Sequence, residues 1–270
     1  MMRNNRKTFI KKLTASLVCH YKEIPVPLEK IASDEELQVF YDSYGKNTFD
    51  GMTIYDDALF YIHLNTEKGN TIGSDRGRFT LAHELGHYFI DSHRIGLMRG
   101  LLEPHPSKNN FQQHAEIENE ADYFASCLLM PEKEFQDEIY KNKLRFRKGF
   151  NIELINILKE KFKVSLTACV IRFAEIGNHP IRIIYAFKDE IKWNIASGDF
   201  PFKYLANAKK PSRMMVLGEY YEKGTEDSFR TSSFYVVDCF TDVSEDDLQT
   251  ELYEYCITNN NHAISILWGK

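Results

Sequence analysis

The sequence predicts an α+β protein: a mostly helical N-terminal part over residues 1–177 with a small edge sheet, then a smaller α+β part over 178–270. Three observations predict it. Apolar residues recur at helical spacing through 8–22, 79–91 and most of 113–177. After Gly177 the period shortens, in runs rich in β-branched and aromatic residues. A chain of 270 residues, 43% hydrophobic and 27% charged, can bury one large core or two modest ones, which excludes disordered and low-complexity classes.

The elements follow in order. Residues 8–22 and 26–42 read as two short helices, parted by the break at Pro25-Val26-Pro27. Residues 53–65 hold two short apolar runs around a turn at Asp56-Asp57, the second of them a strand. Residues 68–75 form a polar loop, and Ser74 or Asp75 caps a helix over 79–91. Residues 95–112, with Gly96, Gly100, Pro104 and Pro106, read as a loop. A strong helix runs over 113–130 and is closed by Pro131; the pattern then stays helical to Gly177. Residues 181–187 and 191–195 make a hairpin around Lys188-Asp189-Glu190, and 213–217, 229–240 and 263–268 are further strands. Ser244 and Asp247 resemble a capping box that opens a helix to about Thr258.

Charge and cysteine usage narrow the partners. Lysine and arginine number 34 against 39 acidic residues, a net −5, so direct nucleic-acid binding is not expected. The five cysteines, Cys19, Cys127, Cys169, Cys239 and Cys256, form no CxxC pair and read as buried thiols of a reducing cytoplasm. No apolar run reaches the ~18 residues that span a bilayer. The basic N-terminus, with Arg3, Arg6, Lys7, Lys11 and Lys12, reads as a surface helix and not as an export signal, and no membrane partner is expected.

The chemistry lies in His83-Glu84-Leu85-Gly86-His87, an HExxH sequence. Histidines four apart on a helix stand one turn apart on one face. Both imidazoles then reach one cation of tetrahedral preference, with Zn–N near ~2.0–2.1 Å. Glu84 points to the side of that face, where it can act as general base toward a zinc-activated water. Such a site needs a third protein ligand. His93 has the spacing of an HExxHxxGxxH site, but Ile90 stands where that pattern needs a turning glycine. The other route is a carboxylate from the next long helix. Glu118 and Asp122 share one face there, and Ala121 and Ala125 are small enough to let two helices approach. Glu118 is the expected metal ligand, and Asp122 the acceptor that fixes a ligand histidine's tautomer. Glu116 and Glu120 lie off that face, toward solvent. Gly86, poor in a helix, calls for close packing beside the site. His20, His114, His179 and His262 read as hydrogen-bonded core histidines and not as ligands. Residues 158–177 look like a helix–turn–helix, but 166–176 offer a DNA groove little beyond Arg172, so a packing role is expected.

These residues resemble the ImmA/IrrE-type metallo-endopeptidases. The likeness is carried by Arg78-Phe79-Thr80-Leu81-Ala82-His83-Glu84-Leu85-Gly86-His87, by Glu118-x-Glu120-Ala121-Asp122-x-Phe124-Ala125, and by Leu128-Leu129-Met130-Pro131. Pro25-Val26-Pro27-Leu28, Phe162-x-Val164-Ser165 and Arg172 extend it over about 20–177; Trp193 and Asp199-Phe200-Pro201-Phe202 resemble extensions of such proteins. The resemblance implies a zincin-like, gluzincin-type metallopeptidase domain in which His83, His87 and Glu118 bind Zn2+, Glu84 is the catalytic base and Asp122 supports a ligand. It implies that the strand before the active helix is the cleft edge and takes substrate as an added strand. It further implies a cytoplasmic endopeptidase of narrow specificity, cleaving a regulatory protein such as a transcriptional repressor in mobile elements or stress responses. The N-terminal helix–turn–helix domain that many members carry has no counterpart here. The alternative is a non-proteolytic regulatory protein, an anti-repressor or sensor, with a structural or vestigial zinc site.

Overall fold

The structure, a computed structural model, describes residues 2–102, 112–142, 150–177, 179–224 and 229–269, the side chains of 112–115 excepted. Contacts divide the chain into two compact units, Met1–Phe135 with Ile157–Ala168, and Gln136–Asn156 with Cys169–Lys270.

The first unit opens with α1 (Asn4–Tyr21), which buries Ile10, Thr14 and Val18, exposes Lys12 and leaves Arg6, Lys7 and Lys11 half-buried. Helix α2 (Leu28–Asp34) is short. Glu36 then takes a left-handed φ of 58°, and the chain turns into strand β1 (Gln38–Asp42). The helix expected over 26–42 is thus corrected: Val39, Phe40 and Tyr41 satisfy their backbone by pairing in parallel with β3. Strands β2 (Gly51–Asp56) and β3 (Leu59–Asn65) form a hairpin whose Asp57 and Ala58 both have positive φ, as a tight two-residue turn requires. The sheet order is β1-β3-β2. Strand β3 is therefore central and paired on both sides, so it cannot take an added strand; the edge strand that contacts the helix after it is β2.

Helix α3 (Asp75–Phe89) starts earlier than its apolar pattern suggests, because Ser74 caps it by accepting from the Gly77 N–H at 3.0 Å, a contact worth about 1 kcal/mol. Extended Ile90 ends α3 and opens α4 (Asp91–Met98). The loop expected over 95–112 begins only after this helix, and 103–111 lie outside the described residues. Helix α5 (Gln112–Leu129) packs along α3 and α1, burying Ala121, Phe124, Ala125 and Leu128. A Cβ on Gly86 would lie 3.2 Å from the Ala121 Cα and 3.2 Å from the Phe124 ring, which is the reason for a glycine in mid-helix.

Helices α6 (Glu132–Asn142), α7 (Ile152–Phe162) and α8 (Leu166–Ile176) complete the helical run. Helix α8 buries Cys169, Val170, Phe173 and Arg172, the last with 1% exposure and paired to Glu175. Its one basic residue therefore belongs to the packing.

The second unit carries a five-stranded antiparallel sheet, ordered β5-β4-β8-β7-β6, from β4 (Ile181–Phe187), β5 (Glu190–Ala196), β6 (Phe229–Tyr235), β7 (Glu251–Asn259) and β8 (His262–Gly269). Helix α9 (Val216–Lys223) lies against one face, over a core of Ile184, Phe200, Phe202, Leu217, Phe234, Leu252 and Leu267. Three expectations change here. The strand over 213–217 is instead the approach to α9 and its first two residues, Val216 and Leu217. The strand over 229–240 ends at Tyr235, in a 3-10 turn. The helix opened by Ser244 is one turn, Glu245–Asp247, before strand β7, where Leu252, Glu254 and Cys256 alternate inward. Cys19 is exposed, unlike the other four cysteines. His20 and His262 are exposed too. Among the described residues no helix is long and apolar enough to cross a membrane.

Candidate metal centre

Helical spacing puts His83 and His87 one above the other on the α3 face that meets α5. Their Nε2 atoms stand 3.1 Å apart. Glu118 comes from α5, with one carboxylate oxygen 3.3 Å from the His83 Nε2 and the other 3.4 Å from the His87 Nε2. The residues expected to bind metal are thus brought together, one donor atom from each within 4.8 Å of the others. The spacing also fits a cation. Three ligands of a tetrahedral ion with bonds of ~2.0–2.1 Å lie about 3.3 Å from one another. Two imidazoles and a carboxylate are donors that zinc accepts.

Electrostatics agree. Burial opposes a charge on His83, yet Asp122, Glu118 and Glu84 outweigh it and hold its imidazole well above the ordinary range, so this pocket favours positive charge. The His83 Nδ1 lies 2.9 Å from an Asp122 carboxylate oxygen, the contact expected of that residue. An N–H donated to Asp122 leaves the Nε2 lone pair facing Glu118. Glu84 is 1% exposed and does not join the donor set.

Two groups depart from expectation. His93 does not complete the site; its Nε2 goes to Glu120 at 3.0 Å, although its ring lies only 5.2 Å from that of His87. Burial and the nearby His87 lower the His93 imidazole to about 4, against the pull of Glu120. Glu120 does not face solvent. Arg6 of α1 covers it, donating from Nε at 2.7 Å and pairing through Nη2. The basic face of α1 was visible in the sequence, but nothing local marked Arg6 as the partner of Glu120.

Strand β2 supplies contacts that sequence reasoning missed. Thr53 Oγ donates to the Glu84 carboxylate at 2.7 Å and lies 3.2 Å from the Glu84 carbonyl oxygen. A Cβ on Gly51 would fall 2.5 Å from the other Glu84 carboxylate oxygen. Thr53 stands 31 residues before Glu84, so no spacing signal could reveal it.

Fold and site together define the class: an α+β protein with an HExxH candidate metal centre built between two packed helices. The family model described as Peptidase_M78, IrrE N-terminal-like domain, matches residues 39–174, half of the chain. The chain belongs to that family. A Mycobacterium tuberculosis protein described as a transcriptional regulator is similar in fold, with a TM-score of 0.62 at 12% identity, over 99% of this chain and 77% of that one. Comparison with curated proteins gives no significant match.

Proposed function

We propose that the chain is a zinc-dependent endopeptidase of narrow specificity that acts in the cytoplasm on a regulatory protein such as a transcriptional repressor. The observation that carries the reading is the donor triangle of His83, His87 and Glu118, whose edges of 3.1–3.4 Å suit one tetrahedral cation, with Glu84 buried beside it. Family membership supports peptide-bond chemistry. When bound, zinc would supply a Lewis acid that acidifies water and polarises a scissile carbonyl. The chain's own residues do the rest. Asp122 holds the His83 ring in the tautomer that turns Nε2 inward. Glu84 takes the proton of the attacking water and returns it to the departing amine.

The test is purified Glu84→Gln protein. It is expected to bind zinc one to one, like the wild type, to cleave nothing, and to retain its target in a pull-down. Wild-type protein purified without any bound transition metal would overturn the reading. The depth of Glu84 favours a second reading, a regulator in which the cation only ties α3 to α5. In that case wild type and Glu84→Gln would relieve repression equally.

A further inference from the structure

Strand β2 makes two contacts with the proposed base that packing alone does not demand. Thr53 places a hydroxyl 2.7 Å from one carboxylate oxygen of Glu84, in a setting where both residues are buried. Gly51, two residues earlier and so on the same face of the strand, leaves the room that the other oxygen occupies. A Cβ there would meet Glu84 Oε1 at 2.5 Å and Thr80 Cγ2 at 2.6 Å. Any other residue at 51 must push the carboxylate or open the contact of β2 with α3. Asn70 fixes that contact, donating to the carbonyl of Asp50, next to Gly51, while accepting from Thr80 on α3 at 2.8 Å. Beside the carboxylate lies a cavity of about 10 Å³ lined by Thr53, Glu84, His87, Leu97 and Leu102. That is room for about one water molecule, with polar groups on one side and leucines on the other.

We propose that Thr53 and Gly51 are positioning residues for Glu84. They fix both oxygens of its carboxylate, one by a hydrogen bond and one by space, so that it faces a single water-sized volume next to His87. This inference rests on the reading of Glu84 as the base, and it says which part of the fold aims that base. A buried carboxylate that loses one of its donors would shift to recover the bond, and a base displaced by about 1 Å loses most of its effect. Threonine suits the position because its hydroxyl donates to Glu84 while its methyl packs. Valine keeps the shape and removes the donor.

The experiment has two arms. In metal-free protein, unfolding midpoints are measured for wild type, Thr53→Val, Glu84→Met and the double variant. The expected result is coupling: Thr53→Val lowers the midpoint in the wild type and leaves it unchanged or raised beside Met, where there is no carboxylate to serve. Additive effects would overturn the proposal. This arm stands whether or not the chain cleaves peptides. In zinc-loaded protein, cleavage of a random decapeptide library is read by mass spectrometry, and rates are then measured on the best peptide. Thr53→Val and Gly51→Ala are each expected to lower kcat about 10- to 100-fold, the scale of one hydrogen bond to a charged group. KM and zinc stoichiometry should stay near wild type, and Thr53→Ser should recover most of the loss. A fall of equal size in Thr53→Ser, or unchanged kcat in Thr53→Val, would overturn it. Wild-type protein that cleaves no peptide counts against the peptidase reading, while the coupling arm still decides the role of Thr53.

Discussion

Gly86 shows how one hydrogen atom sets the distance between the two helices of the site. Alanine would favour the helix by about 1 kcal/mol in isolation. Here its methyl would press on the Cα of Ala121, backbone of α5 that cannot swing aside as a side chain can. Overpacking of this kind costs about 1–3 kcal/mol, so the clash wins or breaks even. Because α5 carries Glu118, the strain falls on the donor triangle. Gly86→Ala is expected to weaken zinc affinity about tenfold in chelator competition, with little gain in unfolding midpoint. An unchanged affinity with a raised midpoint would show that α5 yields freely. At this scale the sequence was informative wherever the partners are helical. His83, His87, Glu118 and Asp122 follow from period 3.6 on two elements. Glu120 does not, because the helical period relates α5 to α3 alone, and a third helix covers this residue with Arg6.

The elements that were misread share a cause: a local signal that is real and a tertiary demand that overrides it. Ser244 does donate to Asp247, at 2.6 Å, and one turn forms. The chain then enters β7 because Leu252, Glu254 and Cys256 face a core, and a charged residue in the middle of that trio hides the alternation. Glu254 has a purpose there. Fully buried, it accepts from the backbone N–H groups of Val216 and Leu217 at 2.7 and 3.1 Å and from Ser265 Oγ at 2.7 Å. A strand side chain thus caps α9, whose first-turn donors need such a partner. Burial pushes its carboxyl up, and these three donors work in the other direction. Glu254→Gln turns one acceptor into a donor that faces another N–H. A loss of about 1–3 kcal/mol is expected, seen as a lower denaturation midpoint and as faster amide exchange in α9. Strand β1 was misread for a similar reason: it exists through its pairing with β3, and parallel partners leave no turn between them to read.

For the molecule as a whole, composition gave the class and helical periodicity gave most of the first unit. Gln136–Asn156 group with Cys169–Lys270, and within that unit Phe150 meets Trp268 of β8, ring to ring, at 5.1 Å. His83, His87 and Glu118 of the candidate metal centre lie in the first unit, so removal of a bound ion is expected to act on its stability. A ligand held at a thousand times its dissociation constant contributes about 4 kcal/mol to the folded state. Excess chelator should therefore lower the wild-type unfolding temperature by several degrees and leave Glu118→Ala unmoved; equal behaviour of the two proteins would count against ion binding by this residue. With two grips on α3 and one on α5, a bound ion would act as a removable rivet, closing a ring of polypeptide that no peptide bond closes. On the proposed reading, scarcity of the element would reach this protein by two routes at once, as slack in its frame and as silence at its centre.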